Sequence, residues 1–185
     1  MTNEKAKEII LNAQSFFETQ SAGYKSWGEV KVLQIAIRLN NSDYLSNEED
    51  INSEIFKKIF SKRKEVNVIL LTQQQYASQV KKEIPPILDD QAQLLGVSVR
   101  IANSNEDVIN ALKNRFAVIL PGGRSVCIGA NPEEAYVAAQ LLEKTSKAFI
   151  EAEVLGGAKS INKIEAWLMQ KFYQLKYSKE AKKNR

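Results

Sequence analysis

Histidine is absent from this sequence of 185 residues. Because histidine supplies the base in Ser-His-Asp and Cys-His catalysis, both of these arrangements are excluded. A nucleophilic cysteine would need a base of another kind. Histidine is also a frequent ligand of catalytic zinc, so any metal site would have to be built from other side chains.

Cysteine is almost absent as well. The single cysteine, Cys127, cannot form an internal disulfide, and this scarcity is typical of a reducing compartment. One thiolate is also too few to build a metal site. Cys127 lies in the apolar run Val126-Cys127-Ile128, and we interpret it as a small core residue.

Long apolar runs are missing too. No run approaches the roughly 20 residues that a membrane-spanning helix needs. The N-terminal residues 1–7 are polar and lack the continuous apolar segment of a signal peptide. We therefore expect a cytoplasmic protein without membrane insertion.

The composition that remains is that of a globular protein, with 44% hydrophobic and 26% charged residues. The net charge is +4, and much of the excess lies near the C-terminus. We predict one domain over residues 1–177 and a basic, solvated tail over 178–185. A contact of this tail with RNA or anionic lipid is the alternative. Elsewhere no aromatic and basic residues alternate as in a nucleic-acid-binding face, so we expect no nucleic-acid partner.

Apolar residues at helical spacing predict four main helices and three shorter ones. The main helices are predicted over residues 3–18, 53–62, 131–153 and 160–177. The shorter ones are predicted over residues 74–82, 87–95 and 104–115. In the last main helix we expect an apolar stripe to be buried, consisting of Ile161, Ile164, Leu168, Phe172 and Leu175.

β-prone runs between these helices predict five strands. The strands are predicted over residues 30–39, 67–71, 97–101, 116–120 and 124–128, whereas 40–52 is predicted to be a loop or a helix cap. Pro121-Gly122-Gly123 predicts a hairpin between the last two strands. The fold class is therefore α/β, a single domain with a central, mostly antiparallel sheet and helices on both faces.

The start of the helix over 131–153 has the clearest local signal. Asn131 is the expected N-cap, Pro132 occupies the first helical position, and Glu134 follows three residues after the cap. This is the pattern of a capping box. Gly156-Gly157 is the expected stop.

A family resemblance emerges from the order of several short segments. They are Ile-Pro-Pro-Ile at 84–87, Ala-Leu-Lys-Asn-Arg at 111–115, Gly-Ala-Asn-Pro-Glu-Glu-Ala at 129–135 and Leu-Glu at 142–143. Over roughly residues 55–157 the chain resembles the class II aldolase and adducin family, with the fuculose-phosphate aldolases as the nearest branch. The resemblance implies the α/β fold described above.

The resemblance also implies a chemistry. Family enzymes cleave sugar phosphates by a retro-aldol reaction, in which a zinc-like ion held by three histidines stabilises the enediolate and a glutamate moves the proton. Aligned on Tyr76-Ala77, two ligand positions are Leu71 and Gln73; the third is Gly123. Counted back from Phe60, the glutamate position falls on Asn52, and Glu54 two residues on is the alternative.

None of these residues suits the family's metal. Leu71 cannot coordinate an ion, Gln73 offers only a neutral carbonyl oxygen, and Gly123 has no side chain. The glycine-rich phosphate-binding segment of the family is also not found in residues 28–39. We therefore expect no metal, no cofactor and no catalytic residue of the family type.

The altered cleft leaves two interpretations open. The turn at Gly122, Gly123 and Arg124 could hold an anion through backbone amides and the guanidinium, or it could be a tight turn with Arg124 as a surface or interface charge. Gln73 and the next two glutamines could be solvated, which we favour mildly, or bond across the cleft. Asp89-Asp90 suggests helix capping or a contact between subunits. The candidate ligand-binding residues are Asn52, Gln73, Gly122, Gly123 and Arg124.

Three functional hypotheses follow. The leading one is a non-catalytic, structural, scaffolding or regulatory homo-oligomer, which the resemblance implies to be a tetramer, with a possible protein partner. The second is a metal-free enzyme or a binder of an anionic, sugar-phosphate-like ligand. The third is an inactive subunit that assembles with an active paralogue.

Overall fold

A six-stranded sheet forms the centre of the molecule. The computed structural model describes residues 1–19, 26–47 and 53–183, and within them the strand order is β2-β1-β3-β6-β5-β4. The strands are β1 (Val30–Arg38), β2 (Tyr44–Ser46), β3 (Val68–Gln74), β4 (Arg100–Ile101), β5 (Ala117–Ile119) and β6 (Arg124–Gly129). Only the β4–β5 pair is parallel among the described strands. The predicted fold class is thus confirmed.

Five α-helices accompany the sheet in the described residues. They are α1 (Asn3–Glu18), α2 (Ser53–Lys62), α3 (Val108–Ala111), α4 (Pro132–Val154) and α5 (Lys163–Lys183). Successive side chains of β3 point to opposite faces of the sheet, and each face carries its own apolar core. Leu70 faces α1 and α4 in one core, whereas Ile69 and Leu71 face α2 and α3 in the other. Cys127 lies fully buried in the first core, and burial raises the pKa of its thiol, as expected for a core cysteine.

The capping box of α4 is confirmed. The Asn131 side chain accepts a hydrogen bond from the backbone N–H of Glu134 at 2.9 Å. The Glu134 carboxylate returns to the backbone N–H of Ala130 at 2.9 Å. The first bond satisfies an N–H group of the first helical turn, and the second ties the residue before the cap to the same turn, which fixes the direction in which α4 leaves β6.

Several shorter predictions were wrong in extent. The predicted helices over 74–82 and 87–95 are single turns, Ala77–Gln79 and Gln91–Leu95. The helix predicted over 104–115 is only α3, because polar side chains compete for its first turn: the Asp107 carboxylate accepts the backbone N–H of Asn103 at 3.1 Å. Within the predicted loop, β2 pairs with β1 at the edge of the sheet. The strand predicted over 97–101 is reduced to β4.

The prediction that the apolar stripe of the last helix is buried was also wrong, because the single chain leaves that stripe exposed. α5 begins at Lys163 and ends at Lys183, and it buries Ala166 and Gln170. The large apolar side chains point the other way and are exposed: Ile164, Leu168, Phe172 and Leu175. An amphipathic pattern identifies an apolar face but does not say whether the same chain covers it. None of the helices in the described ranges combines the length and apolar character needed to cross a bilayer.

Truncation of Phe56 tests the second core. This α2 side chain is fully buried, so Phe56→Ala leaves a cavity and is expected to lower the free energy of unfolding by about 3–5 kcal/mol. Urea unfolding measures the change. Leu11→Ala, at an α1 position that is 80% exposed, is the control and should shift stability by less than about 0.5 kcal/mol. Equal shifts for both variants would contradict the placement of α2.

Candidate functional site

The two ligand positions on β3 lie on the same face of the sheet but in different surroundings. Leu71 is 2% exposed and belongs to the apolar core beneath α2. Two residues on, Gln73 lies half-buried at the rim of the sheet. At the inner of the two positions that the resemblance assigns to metal ligands, the chain therefore carries an apolar side chain packed in the core.

The third ligand position lies in the turn between β5 and β6. Gly123 has a φ of 82°, a conformation that favours glycine. A Cβ at this position would lie 2.9 Å from the backbone carbonyl oxygen of Ser78. A hydrogen bond from the Gly123 N–H to the carbonyl of Leu120, at 3.1 Å, closes the turn. Any side chain here would meet both backbone strain and a steric clash.

The rim of the sheet carries two cationic residues beside Gln73. Lys31 on β1 and Arg124 on β6 are its direct Cα partners, so the three side chains share one face in a row across three strands. Neighbouring strands lie about 4.8 Å apart, which places the two cationic residues roughly 10 Å from each other at the backbone. Within the described part of the chain, the Arg124 guanidinium has no ion pair or hydrogen bond.

The predicted site residues are therefore only partly brought together. Gln73, Gly123 and Arg124 lie side by side, and Gly122 is exposed at the tip of the turn with open space around its Cα. Asn52 lies outside the described residues. Among those residues, no three histidine, cysteine, aspartate or glutamate side chains are grouped so as to hold a metal ion.

The polar residues flanking this rim clarify two further predictions. Gln74 is not solvated, because it is buried and its side-chain N–H donates to the Ala139 carbonyl of α4 at 3.1 Å. Gln75 is exposed, as favoured. The capping role of Asp90 is confirmed, since its carboxylate accepts the backbone N–H of Gln91 at 2.9 Å and also pairs with Lys144.

A buried carboxylate that the sequence did not single out as a site residue lies behind the rim. Glu143 on α4 is 1% exposed. Its two oxygens accept the backbone N–H groups of Tyr76 at 2.7 Å and Ala77 at 3.0 Å, directly after β3. Burial raises the pKa of Glu143 to about 7, against the opposing effect of these N–H donors and Lys147. The sequence does contain a signal for this buried carboxylate, since Glu143 lies among the apolar and alanine residues of the buried side of α4.

Glu143 also lines an open cleft beside α4. This cleft of about 430 Å³ lies between α1, the start of β1 and α4. It is lined by three carboxylates and three amides, those of Glu18, Glu29, Glu143, Gln14, Gln75 and Gln140. It is on the opposite side of the sheet from Leu71 and Gln73, and its acidic lining disfavours a phosphate. The cleft and the cationic rim are therefore separate features.

The comparisons with known proteins agree with this architecture. The model of the class II aldolase and adducin N-terminal domain matches residues 26–150. The chain belongs to this family. Its predicted membership is thus confirmed, and the aldolase-like fold spans nearly the whole chain. A comparison with curated protein sequences gave no match.

Solved structures of this family share the fold at low sequence identity. An L-fuculose 1-phosphate aldolase is 15% identical with a TM-score of 0.73, over 94% of this chain and 98% of that one. The L-fuculose 1-phosphate aldolase from Glaciozyma antarctica is 16% identical with a TM-score of 0.68, over 90% and 80%. The protein YgbL from Klebsiella pneumoniae is 12% identical with a TM-score of 0.62, over 82% and 91%.

The metal of the family enzymes does not fit the residues of this chain. Leu71 is part of the core, Gln73 offers a neutral amide, and the backbone at Gly123 leaves no room for a side chain. Zinc sites in proteins use thiolate, imidazole or carboxylate ligands, and none of these is present at the three positions.

The pH dependence of stability tests the burial of Glu143. Its folded-state pKa of about 7 lies above the ordinary value of 4.5, so between these two pH values the folded protein holds a proton that the unfolded chain has released. The free energy of unfolding contributed by Glu143 therefore falls as pH rises through this window and is constant above it. Relative to Glu143→Gln, the wild type should lose stability from pH 5 to pH 8, as measured by urea unfolding. Glu133→Gln, at an exposed position of α4, is the control, and parallel pH curves for the wild type and Glu143→Gln would contradict the prediction.

Proposed function

We propose that this chain is a non-catalytic member of its family that acts as a structural, scaffolding or regulatory homo-oligomer. The observation that carries the proposal is the state of the three ligand positions. Leu71 is packed in the core, Gln73 is neutral, and Gly123 cannot take a side chain without moving Ser78. The absence of metal ligands at these positions therefore involves the backbone conformation as well as the side chains.

The physical consequence is the loss of the group that stabilises the reaction intermediate. In retro-aldol cleavage by the family enzymes, a metal acts as a Lewis acid on the developing negative oxygen. Without ligands for that metal, the remaining groups at the rim are one amide and two cationic side chains, Lys31 and Arg124. These groups can bind a negative charge but do not reproduce the metal's polarising effect.

An oligomer is supported by the surface of the molecule. The large apolar side chains on the outer face of α5 are exposed in the single chain, and patches of this kind mark interaction sites. The tetramer that the resemblance implies, in the cytoplasm, is the form we propose. A partner protein would then use the assembly as a scaffold.

Metal content and aldolase activity test the non-catalytic proposal. The full chain is incubated with Zn²⁺ or Co²⁺, dialysed and analysed for bound metal, and then assayed with L-fuculose 1-phosphate. We expect no stoichiometric metal and no metal-dependent cleavage. The L-fuculose 1-phosphate aldolase from Glaciozyma antarctica is the control that shows the assay works. A stoichiometric ion, or cleavage that EDTA abolishes, would refute the proposal.

The cationic rim favours a second candidate, a binder of an anionic small ligand. Arg124 and Lys31 flank Gln73 on one face of the sheet, and the guanidinium of Arg124 is unpaired within the described residues. An arginine in this state can bind a phosphate or carboxylate through two parallel hydrogen bonds. Gln73 would orient the same ligand.

Substitution of Arg124 tests this second candidate. Calorimetric titration with L-fuculose 1-phosphate or inorganic phosphate should show binding that Arg124→Ala weakens roughly 10- to 100-fold, the range expected for a lost charge-assisted hydrogen bond. Arg100→Ala removes a cation at a different surface, where Arg100 pairs with Glu83, and should leave the affinity unchanged. No binding to the wild type, or equal effects of the two variants, would reject the rim as an anion site.

A further inference from the structure

A small pocket lies between the N-terminal half of α5 and the turn that precedes β5. Its volume is about 220 Å³, below the roughly 300–1,000 Å³ of pockets that hold drug-sized ligands. Within the described part of the chain, four of its eight lining residues carry a positive charge and none carries a negative one. We call it the basic pocket, and it is lined by Val97, Arg100, Lys113, Asn114, Arg115, Trp167, Gln170 and Lys171.

Contacts within the chain fix the walls of the basic pocket. The Gln170 side chain, which is 2% exposed, donates a hydrogen bond to the Asn114 carbonyl at 2.9 Å and so joins α5 to the turn. Asn114 has a φ of 56°, in the left-handed region that asparagine adopts more readily than most residues. A Cβ at Gly96 would lie 2.8 Å from the same carbonyl oxygen. The turn is therefore held closely on both sides, and the pocket is formed by the single chain.

Arg115 is a buried cation without a carboxylate partner. It is 8% exposed, and within the described residues its guanidinium forms no ion pair. The guanidinium donates to the carbonyl and hydroxyl oxygens of Ser98 at 2.8 to 3.1 Å and to the Lys113 carbonyl at 2.8 Å. These bonds use one hydrogen on each of its three nitrogens. Because a guanidinium has five N–H donors, two of them stay available to a ligand.

The charge around Arg115 is not neutralised by the chain. Burial and then the positive charge of Arg100 lower the pKa of Arg115, whereas Glu83 raises it by a smaller effect. The buried Arg38 differs, because burial alone lowers its pKa and the Glu65 carboxylate raises it. An anion in the basic pocket would offset both the burial of Arg115 and the repulsion from Arg100.

Two further cations of the basic pocket have no acidic partner. Lys113 and Lys171 form no ion pair within the described residues, and the Lys171 ammonium contacts the Gln174 side chain at 3.4 Å. Arg100 adds less, since Glu83 lies 3.7 Å from it. Three uncompensated cations exceed the charge of one carboxylate. The pocket therefore favours a compact anion with two negative charges, such as a phosphate monoester.

The adjoining pocket on the other side of Arg115 lacks this preference. It has a volume of about 430 Å³, and its lining includes Glu83 and Glu153. These carboxylates pair with Arg100 and Lys82, so much of its charge is neutralised within the chain. The anion preference therefore belongs to the smaller, basic pocket.

We propose that the basic pocket binds the dianionic phosphate group of a small phosphate monoester. The two available donors of Arg115 would hold phosphate oxygens, as the arginine fork does in other phosphate sites. Lys113 and Lys171 would supply the remaining positive charge. Trp167 lines the same pocket and is 49% exposed, so the carbon part of the ester would lie against its ring.

The basic pocket is separate from the cationic rim. Arg115 lies two residues before β5, whereas Arg124 accepts the backbone N–H of Leu120 just beyond the other end of that strand. Five residues of extended chain, at about 3.3 Å each, separate these ends by roughly 16 Å. The inference therefore goes beyond the proposed function, and neither depends on the other.

Tryptophan fluorescence tests the basic pocket. The chain has two tryptophans, so the full chain with Trp27→Phe retains Trp167 alone. Titration of this chain with glycerol 3-phosphate should change the Trp167 emission and reach saturation. Acetate carries a single charge and should bind at least about 10-fold more weakly. No saturable change, or equal affinity for acetate, would overturn the proposal.

Charge reversal in the Trp27→Phe chain identifies the residues. Lys113→Glu and Lys171→Glu change exposed side chains, so both variants should fold normally, as checked by thermal unfolding. Each should weaken glycerol 3-phosphate binding roughly 10-fold or more. Lys7→Glu makes the same charge change at an exposed α1 position and should alter the affinity less than about 2-fold. Equal effects of the three reversals would show that only net charge matters and would overturn the site.

Two arginine variants complete the assignment. Arg115→Lys keeps the positive charge but loses the fork, and it should weaken binding about 10-fold. A folded Arg115→Lys chain with unchanged affinity would overturn the role of the guanidinium. Arg124→Ala should leave the Trp167 titration unchanged, and a comparable loss in this variant would assign the signal to the cationic rim instead.

Other phosphate-bearing probes separate the possible sources of the anion. Inorganic phosphate should bind more weakly than glycerol 3-phosphate, because it has no carbon part to contact Trp167; equal affinities would overturn the role given to that ring. A short single-stranded RNA carries phosphodiesters, each with one charge, and should compete poorly. An emission change with RNA and none with glycerol 3-phosphate would assign the pocket to nucleic acid and overturn the proposal.

Discussion

The carboxylate of Glu143 joins three parts of the fold that meet behind the altered cleft. From α4 it accepts the N–H groups of Tyr76 and Ala77, which fixes the turn that follows β3. It also lies against Gly28 at the entry to β1, where a Cβ would be 2.2 Å from its oxygen. No side chain larger than hydrogen fits between them. The end of β3 is thus positioned by a carboxylate from the chain itself, and its geometry needs no metal.

Because contacts within the chain hold the end of β3 in place, the fold does not depend on metal ligands at this end of the sheet. Leu71, at the inner ligand position that the resemblance implies, contributes apolar burial worth about 1.5–3 kcal/mol for a side chain of its size. Gln73 lies at the rim of the sheet and Gly123 lies in a turn, so neither residue is part of the apolar core. Positive charge at this rim is supplied by Lys31 and Arg124, fixed on neighbouring strands. The charge of these two side chains favours an anion over a cation at the rim.

The sequence predicted the long elements well because their signals are local. The bounds of α1 and α2 and the cap of α4 follow from apolar spacing and from hydrogen bonds within one turn. The short elements were harder. β2 forms by pairing with the edge of β1. A strand of three residues is too short to show a recognisable pattern in the sequence. The helix over 104–115 was overextended because helical spacing does not show how strongly polar side chains compete for the backbone.

The candidate site was predicted in part, for a different reason. The row of Gln73 and Arg124 follows from the hairpin and the family alignment, whereas Lys31 requires the register of β1 against β3. Glu143 was part of the family pattern, but its role depends on contacts with residues nearly seventy positions away in the chain. Burial of a carboxylate and its bonding to backbone N–H groups are properties of the folded structure, not of the local sequence.

The error on α5 is informative because it separates two physical questions. Apolar spacing correctly identified the face formed by Ile164, Leu168, Phe172 and Leu175, but the chain covers the opposite face, with Ala166 and Gln170. The small side chain of Ala166 and the hydrogen bond from Gln170 to the Asn114 carbonyl hold α5 against the body of the chain, and the large apolar side chains are then directed outward. A monomeric enzyme would gain nothing from such a surface, which costs solubility. The exposed face of α5 is therefore evidence about association, and it is independent of the chemistry of the cleft.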